Sequence, residues 1–366
     1  MSEVLAEDAG AAGVAAKRHP RAVSPFEFLP GWITYGPVVA QWLALGLWHR
    51  DFSLPTAANP AITTGGLCGE RKAAILDLVQ GEARRFIAPY TTLLTGRNDL
   101  DAAEAAMAQA SLALPLVVKP DIGCNGTGVR LVRDRAAMAK ALSEFPRGTT
   151  LVLQRFVAWE GEAGLFYIRH PDEPIGRITS VTLKYAPTVT GDGKSTLGEL
   201  IRADARHGKL QHLYRTRLAG RLESVPAAGA REQLVFAGNH CKGSIFRNGI
   251  GHATPALLGR LEEIARAMPD FHFGRFDLRY SSLGALRRGE DFAIIEINGV
   301  GAEATHIWDP ETSLREVFAA QFHHYGRAFA IGAAMRRRGA VPSGVRAMAR
   351  DWRLQRRLMA SYPLND

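Results

Sequence analysis

The amino-acid sequence predicts an α+β protein in which short buried strands are interleaved with capped helices. Three observations carry this. Short apolar runs end at glycine or at a charged residue, as buried strands do. Ala- and Leu-rich stretches with acids in the first turn read as helices. The 366-residue chain is 46% hydrophobic and 22% charged, the balance of a folded chain with a sizeable core and two or three domains.

The elements follow in order. Residues 1–24 lack the apolar stretch of a secretory signal and read as a mobile arm. From Phe28 to Trp48 no residue is charged. Pro30, Tyr35, Pro37 and Gln41 interrupt this run, so the expected helix begins at Pro37, ends near Arg50 and is too short to span a bilayer. A buried or interfacial helix is the reading, with membrane contact as the alternative. A Pro/Gly/Thr-rich loop (54–69) leads to a second helix over 70–86, closing a small leading unit (25–95). A helix is expected over 99–112, strands at 114–119 and 129–132, and a helix over 134–145. Strands follow at 150–157, 164–169 and 178–185. The second half predicts a helix over 196–205 capped by Ser195, a helix over 254–268, strands at 272–280 and 292–297, and a closing helix over 311–335. The lobes divide at 96–186 and 187–334, with a basic tail at 335–366.

The net charge of +9 is uneven: Arg336 to Arg357 hold eight arginines against one acid, Asp351, a net of +7. The basicity belongs to the tail, so no nucleic-acid partner is expected. Residues 336–357 suit a solvated helix face, or contact with an anionic membrane or acidic partner. The three cysteines, Cys68, Cys124 and Cys241, are scattered. They exclude a disulfide framework or zinc ribbon and favour a reducing, cytoplasmic location.

Three segments carry chemistry. In Leu116-Val-Val-Lys119-Pro120-Asp121-Ile-Gly123-Cys124-Asn125-Gly126-Thr127-Gly128, a buried strand ends in a lysine and a glycine turn enters the next strand. Glycines let backbone N–H groups approach phosphate, and the lysine adds a positive charge. A strand follows the loop, which excludes the dinucleotide fingerprint; a plain β-hairpin is the bland alternative. In Gly274-Arg275-Phe276-Asp277 and Glu296-Ile297-Asn298, Glu296 and Asn298 lie two apart on one strand face. With Asp277 on a neighbouring strand they form an oxygen site for Mg²⁺, for which Mn²⁺ would substitute. Thr190 to Thr196 resembles a P-loop but has Thr188 where the first glycine belongs; it reads as a flexible loop entering a helix.

Taken in this order, the segments from Leu114 to Pro310 resemble the ATP-grasp superfamily, in particular D-alanine–D-alanine ligase-like and cyanophycin-synthetase-like carboxylate–amine ligases. The resemblance implies two α/β lobes clamping ATP behind an atypical N-terminal unit. It assigns Lys119, Gly123, Asn125, Gly126, Thr127 and Gly128 to the phosphates. It gives Gln154, Arg155, Phe156 and Val157 to the adenine hinge, where those ligases usually have Glu at the Gln154 position. Glu162 falls to the ribose, Lys184 to a second phosphate contact, and Asp277, Glu296 and Asn298 to the metal. Arg275 and Lys184 would stabilise the transferring phosphoryl group, and the glycine loops at 123–128 and 190–194 would serve as lids. For the substrate carboxylate, Asn239, His240 and Lys242 form a candidate wall. The implied reaction joins a small carboxylate to an amine through an acylphosphate, releasing ADP. An ATP-grasp kinase, or a nucleotide-binding protein with a degenerate site, is the alternative. Gly299-Val300-Gly301 departs from the Ser-Pro-Gly usual in those ligases, so acid, amine and oligomeric state stay open.

Overall fold

The computed structural model describes residues 23–364 apart from 237 and 239–242. The predicted substrate residues Asn239, His240 and Lys242, and nearly all of the predicted arm, lie outside the described residues.

The chain runs through α1 (Gly31–Trp48), α2 (Lys72–Asp77), β1 (Tyr90–Leu94), α3 (Asp99–Gln109), β2 (Leu116–Pro120), β3 (Arg130–Val132) and α4 (Arg135–Ser143). It continues with β4 (Thr150–Arg155), β5 (Gly161–Ile168), β6 (Arg177–Tyr185), β7 (Thr188–Thr190), α5 (Leu197–Ala203), α6 (Gln211–Arg215) and β8 (Arg231–Gln233). Next come β9 (Ile245–Asn248), α7 (Pro255–Arg266), β10 (Phe273–Tyr280), α8 (Leu283–Arg288), β11 (Phe292–Asn298), α9 (Leu314–Arg337) and α10 (Val345–Ser361).

The strands form a four-stranded sheet of order β1-β4-β2-β3, a five-stranded sheet of order β11-β10-β5-β6-β9 and a small β7-β8 pair. The paired strands are antiparallel throughout. Strand parity then fixes what each face of the larger sheet carries. Ala163, Leu165, Tyr167, Phe276 and Leu278 point to one face and pack with Leu257, Leu261 and Ile264 of α7 in the largest core cluster. Opposite residues in the register, Glu162 beside Arg279 and Lys184, Phe166 beside Arg275, and Asp277 beside Glu296, share the other face. That second face is polar at one end. At the other, Phe166 and Phe273 are covered by α9.

Several predicted boundaries shift. The first helix starts at Gly31 and carries Pro37 inside it. Gly36 has no Cβ to meet the proline ring, which relieves the usual restriction on the residue before proline. One side of α1 packs on α9: Gln41 Nε2 donates to the Phe322 carbonyl at 2.8 Å, and Trp42 meets Phe329 edge-on. The other side leaves Trp32, Leu47 and Trp48 exposed. No helix among the described residues is long and apolar enough to cross a membrane.

The helix expected over 70–86 is α2 followed by a 3-10 turn at Gly81–Phe86. Gly81, at φ 60°, breaks it. The cap of α5 is Thr196 rather than Ser195: Thr196 and Glu199 form a capping box, the three-residue spacing that arrangement requires. Ser195 instead donates its hydroxyl to Asp192 at 2.7 Å. Strands β1 and β9 were not expected. The tail forms α10, whose Arg346, Arg350, Arg353, Arg356 and Arg357 are exposed.

Candidate active site

The two larger sheets meet over a cleft of about 500 Å³, a volume in the range of small-molecule sites. Lys119 ends β2 in one sheet, and the β10–β11 pair of the other sheet faces it. Every predicted nucleotide-side residue lines this cleft except Gly128. Gly128 sits behind the loop, its α-carbon facing the Phe145 ring and Pro120. The loop at 190–194 does not line it. There Asp192 accepts from the backbone N–H groups of Lys194 and Ser195, so a carboxylate already fills the place an anion would take. The loop expected as a second lid thus lies away from the cleft.

Charges alternate across the sheet face. Lys184 Nζ lies 2.7 Å from Asp277 Oδ1 and 3.4 Å from Glu162 Oε1. Arg275 donates to Asp277 through Nε and Nη2, at 3.1 and 2.9 Å. Asn298 Nδ2 donates to Asp277 Oδ2 at 3.1 Å. These groups converge over Gly164 on the central strand, where a Cβ would stand 3.0 Å from Asp277 Oδ1 and 3.1 Å from Arg275 Cδ. Burial works against the Asp277 charge, but Arg275 and Lys184 override it and hold the carboxyl well below the ordinary carboxylate range. Glu296 is lowered likewise, burial being outweighed by Lys72 and Lys119.

Lys119 Nζ donates to Gln154 Oε1 and to the Ile295 carbonyl, both at 2.8 Å. Burial pulls its ammonium down to about 8. Gln154 thus aims the lysine, and its own amide donates to the Ala88 carbonyl at 3.3 Å. Beyond it, Arg279 lies over the rings of Phe156 and Phe236. Arg279 donates to the carbonyls of Val157 and Trp159 at 3.3 and 3.0 Å. Arg279 is thereby clamped beside the segment that follows β4.

Residues that the sequence reading did not assign complete the cleft. Lys72 Nζ lies 3.1 Å from Glu296 Oε1 and donates to the Gly123 carbonyl, so it ties Glu296 to the glycine loop. Glu70, on the same turn, lines the cleft and is raised above the usual carboxylate range by burial. Both come from the stretch Gly65-Gly66-Leu67-Cys68-Gly69-Glu70-Arg71-Lys72. Its glycines beside charged residues were the available signal. This stretch crosses the end of β11, where Val300 N and Gly301 N donate to the Gly65 and Gly66 carbonyls at 3.0 and 2.7 Å. Tyr35, Glu303, Tyr325 and Gln355 also reach the cleft, from α1, the turn after β11, α9 and α10.

Two carboxylates and an amide oxygen on one sheet face are hard donors and fit Mg²⁺. Among the described residues no group of three or more His, Cys, Asp or Glu could hold a metal by itself. The remaining ligands would have to come from Asn298, water and phosphate oxygens, as is usual for magnesium.

No family model and no curated protein matches the sequence. Solved structures with a similar course include a bifunctional glutathione synthetase from Pasteurella multocida (18% identity, TM-score 0.38, 70% of this chain and 36% of that one). Others are a D-cycloserine synthetase (17%, 0.38, 74% and 70%) and a D-Ala:D-Ser ligase from Enterococcus faecalis (13%, 0.39, 72% and 63%). The chain thus spans little more than a third of the first of these proteins.

Proposed function

We propose that the protein is an ATP-grasp ligase that joins a small carboxylate to an amine with release of ADP. The observation that carries this reading is the convergence of Lys72, Lys119 and Lys184 on the Asp277–Glu296 pair within one cleft. Three cations beside two acids suit a triphosphate bound with magnesium better than a single anion.

Lys119 and Lys72 bind phosphate oxygens, and the backbone N–H groups of Gly123 to Thr127 cradle them. The base lies between Phe156, Val157 and the Arg279 wall. Asp277, Glu296 and Asn298 would hold Mg²⁺ or Mn²⁺, which when bound neutralises charge on the phosphates. The substrate carboxylate oxygen attacks the γ-phosphorus, the bond to the bridging oxygen breaks, and ADP leaves. Arg275 and Lys184 steady the transferring group. The amine then attacks the acyl carbon and phosphate departs. Water is kept from the acylphosphate by the glycine loop and by α10 over it.

Hydroxylamine captures acylphosphates as hydroxamates. Wild-type protein with Mg-ATP and a panel of amino and other small carboxylic acids is expected to form a hydroxamate with stoichiometric ADP. Glu296→Gln is expected to lower this rate by about 100-fold or more with the fold intact by circular dichroism. Near-wild-type turnover in that variant removes the metal assignment. A phosphorylated product that hydroxylamine does not intercept indicates a kinase instead.

A further inference from the structure

The cleft is polarised. Lys72, Lys119, Lys184 and Arg275 gather at the Asp277–Glu296 end. The wall beyond Arg275 is formed by Tyr35, Phe246, Glu303, Thr305 and Tyr325, and its one charged side chain is acidic. Arg275 marks the divide: its Nη1 donates to the Glu303 carbonyl at 3.0 Å while its Nε holds Asp277. The guanidinium is thereby committed to the Asp277 side.

Glu303 is set for a ligand. The Tyr35 hydroxyl and the Trp308 indole N–H both face its carboxylate. Two donors leave acceptor capacity, since a carboxylate offers about four lone-pair sites. Burial lifts its carboxyl above the usual range, and those two donors and Arg275 only partly counter this. A half-buried carboxylate without a full counter-charge still carries a desolvation cost, and a cationic ligand relieves it. A second polar atom is also left over: Thr305 is 8% exposed and its hydroxyl finds no hydrogen-bond partner among the described residues. Tyr35 and Tyr325 add aromatic rings, which attract cations over their faces. An anion would be repelled by the Glu303 carboxylate and by the ring faces.

We propose that Glu303, with Thr305, Tyr35 and Tyr325, binds the ammonium group of the amine substrate and accepts its proton, leaving the free amine to attack the acyl carbon, so that this corner selects a primary amine over an anionic nucleophile. The assignment rests on the ligase reading above and deepens it. It also gives α1 a place in the site, because Tyr35 projects from that helix.

The test begins with the wild type. Hydroxamate formation with the acid panel establishes the acylphosphate; its absence for every acid sinks the ligase reading and the amine site together. ADP release is then measured against ammonium, methylammonium and glycinamide, with the acid that gave hydroxamate. In Glu303→Gln the KM for the accepted amine is expected to rise about 10- to 100-fold, the loss of one charge-assisted contact. The KM for Mg-ATP should stay within about twofold, since that end of the cleft is untouched. Glu303→Asp, which keeps the charge, should recover part of the loss and serves if the Gln variant does not fold. An unchanged amine KM in a variant that melts like the wild type overturns the assignment and leaves the ligase reading standing. So does a wild type that forms hydroxamate but accepts none of the three amines.

Discussion

At the scale of the residue, Lys119 gives the most direct consequence of burial. Its ammonium, held near 8 by desolvation, is charged at neutral pH and loses its charge within an assayable range. An anion binds the protonated form, so affinity is full below about 8 and is lost as pH rises through that value. The KM for Mg-ATP is therefore expected to be flat from pH 6.5 to 7.5 and to climb towards about tenfold per unit above pH 8. Lys119→Arg keeps its charge and should lose that limb. A wild-type KM that is flat to pH 9.5 removes Lys119 from the phosphates. This lysine, Asp277, Glu296 and Asn298 were legible because each sits in a strand among apolar residues, although a bulge beside Asp277 turns Ile294 to the opposite face from Glu296 and Asn298. Lys72, Glu70 and Glu303 were not. Glu70 and Glu303 enter from turns and Lys72 from the first residue of α2 just past one; side-chain directions there depend on what the turn crosses, and the Gly65–Gly66 crossing over Val300 and Gly301 is a long-range contact with no local pattern.

At the scale of the element, α10 is the part whose role the sequence hid. Its charge suggested a solvated face, and its arginines are exposed. The opposite side, however, straps down the loops that build the cleft. Gln355 Oε1 accepts from Gly69 N at 2.6 Å, Cys68 Sγ donates to the Met348 carbonyl at 3.5 Å, and the Tyr362 hydroxyl just past α10 donates to the Ile122 carbonyl at 3.0 Å. Gly69 permits the approach, with φ at 73° and its virtual Cβ only 2.7 Å from Asp351 Cβ. Gly69→Ala should displace α10, cost about 1–3 kcal/mol of stability and raise the KM for Mg-ATP through the loosened glycine loop. Thermal unfolding and ATP titration check this; an alanine variant with unchanged melting and KM means that α10 does not brace the site. The unexpected strands show a similar limit. β1 and β9 are edge strands, and each is defined by one partner's hydrogen bonds more than by an apolar pattern of its own. The helices with capping boxes at Thr196 and Ser313 were legible to within a turn because the cap residues are local.

At the scale of the whole molecule, the packing of α9 over Phe166 and Phe273 makes stability depend on acid. His324 on α9 is 5% exposed and its ring centroid lies 4.2 Å from that of Phe166, the cross-strand partner of Arg275. Burial, aided by His323 and His306, holds its pKa to about 3. His272, just before the strand that carries Asp277, is held to about 4 by burial and Arg169. The unfolded chain protonates both near 6.5, while the folded chain refuses the proton until it reaches these lower values. Between the two limits the unfolded state binds more protons, so stability is full above about 6.5 and falls as pH drops towards 4. At pH 5 this amounts to about 2 kcal/mol for each histidine, a large share of a typical margin of about 5–15 kcal/mol. His207 and His306, also lowered by burial, add to the upper part of the slope. Glu70 and Glu303, raised by burial, oppose it. The Asp277 carboxyl, lowered in the folded state, adds to the loss only towards pH 4, where the unfolded aspartate begins to take up protons. Urea unfolding at pH 7, 6, 5 and 4 should therefore show a steady loss of stability well before the carboxylates titrate. His324→Leu should start from a different absolute stability but show a shallower slope by close to one proton. Equal slopes in the two proteins would mean that His324 titrates freely in the folded state, which the Phe166 contact and its burial argue against.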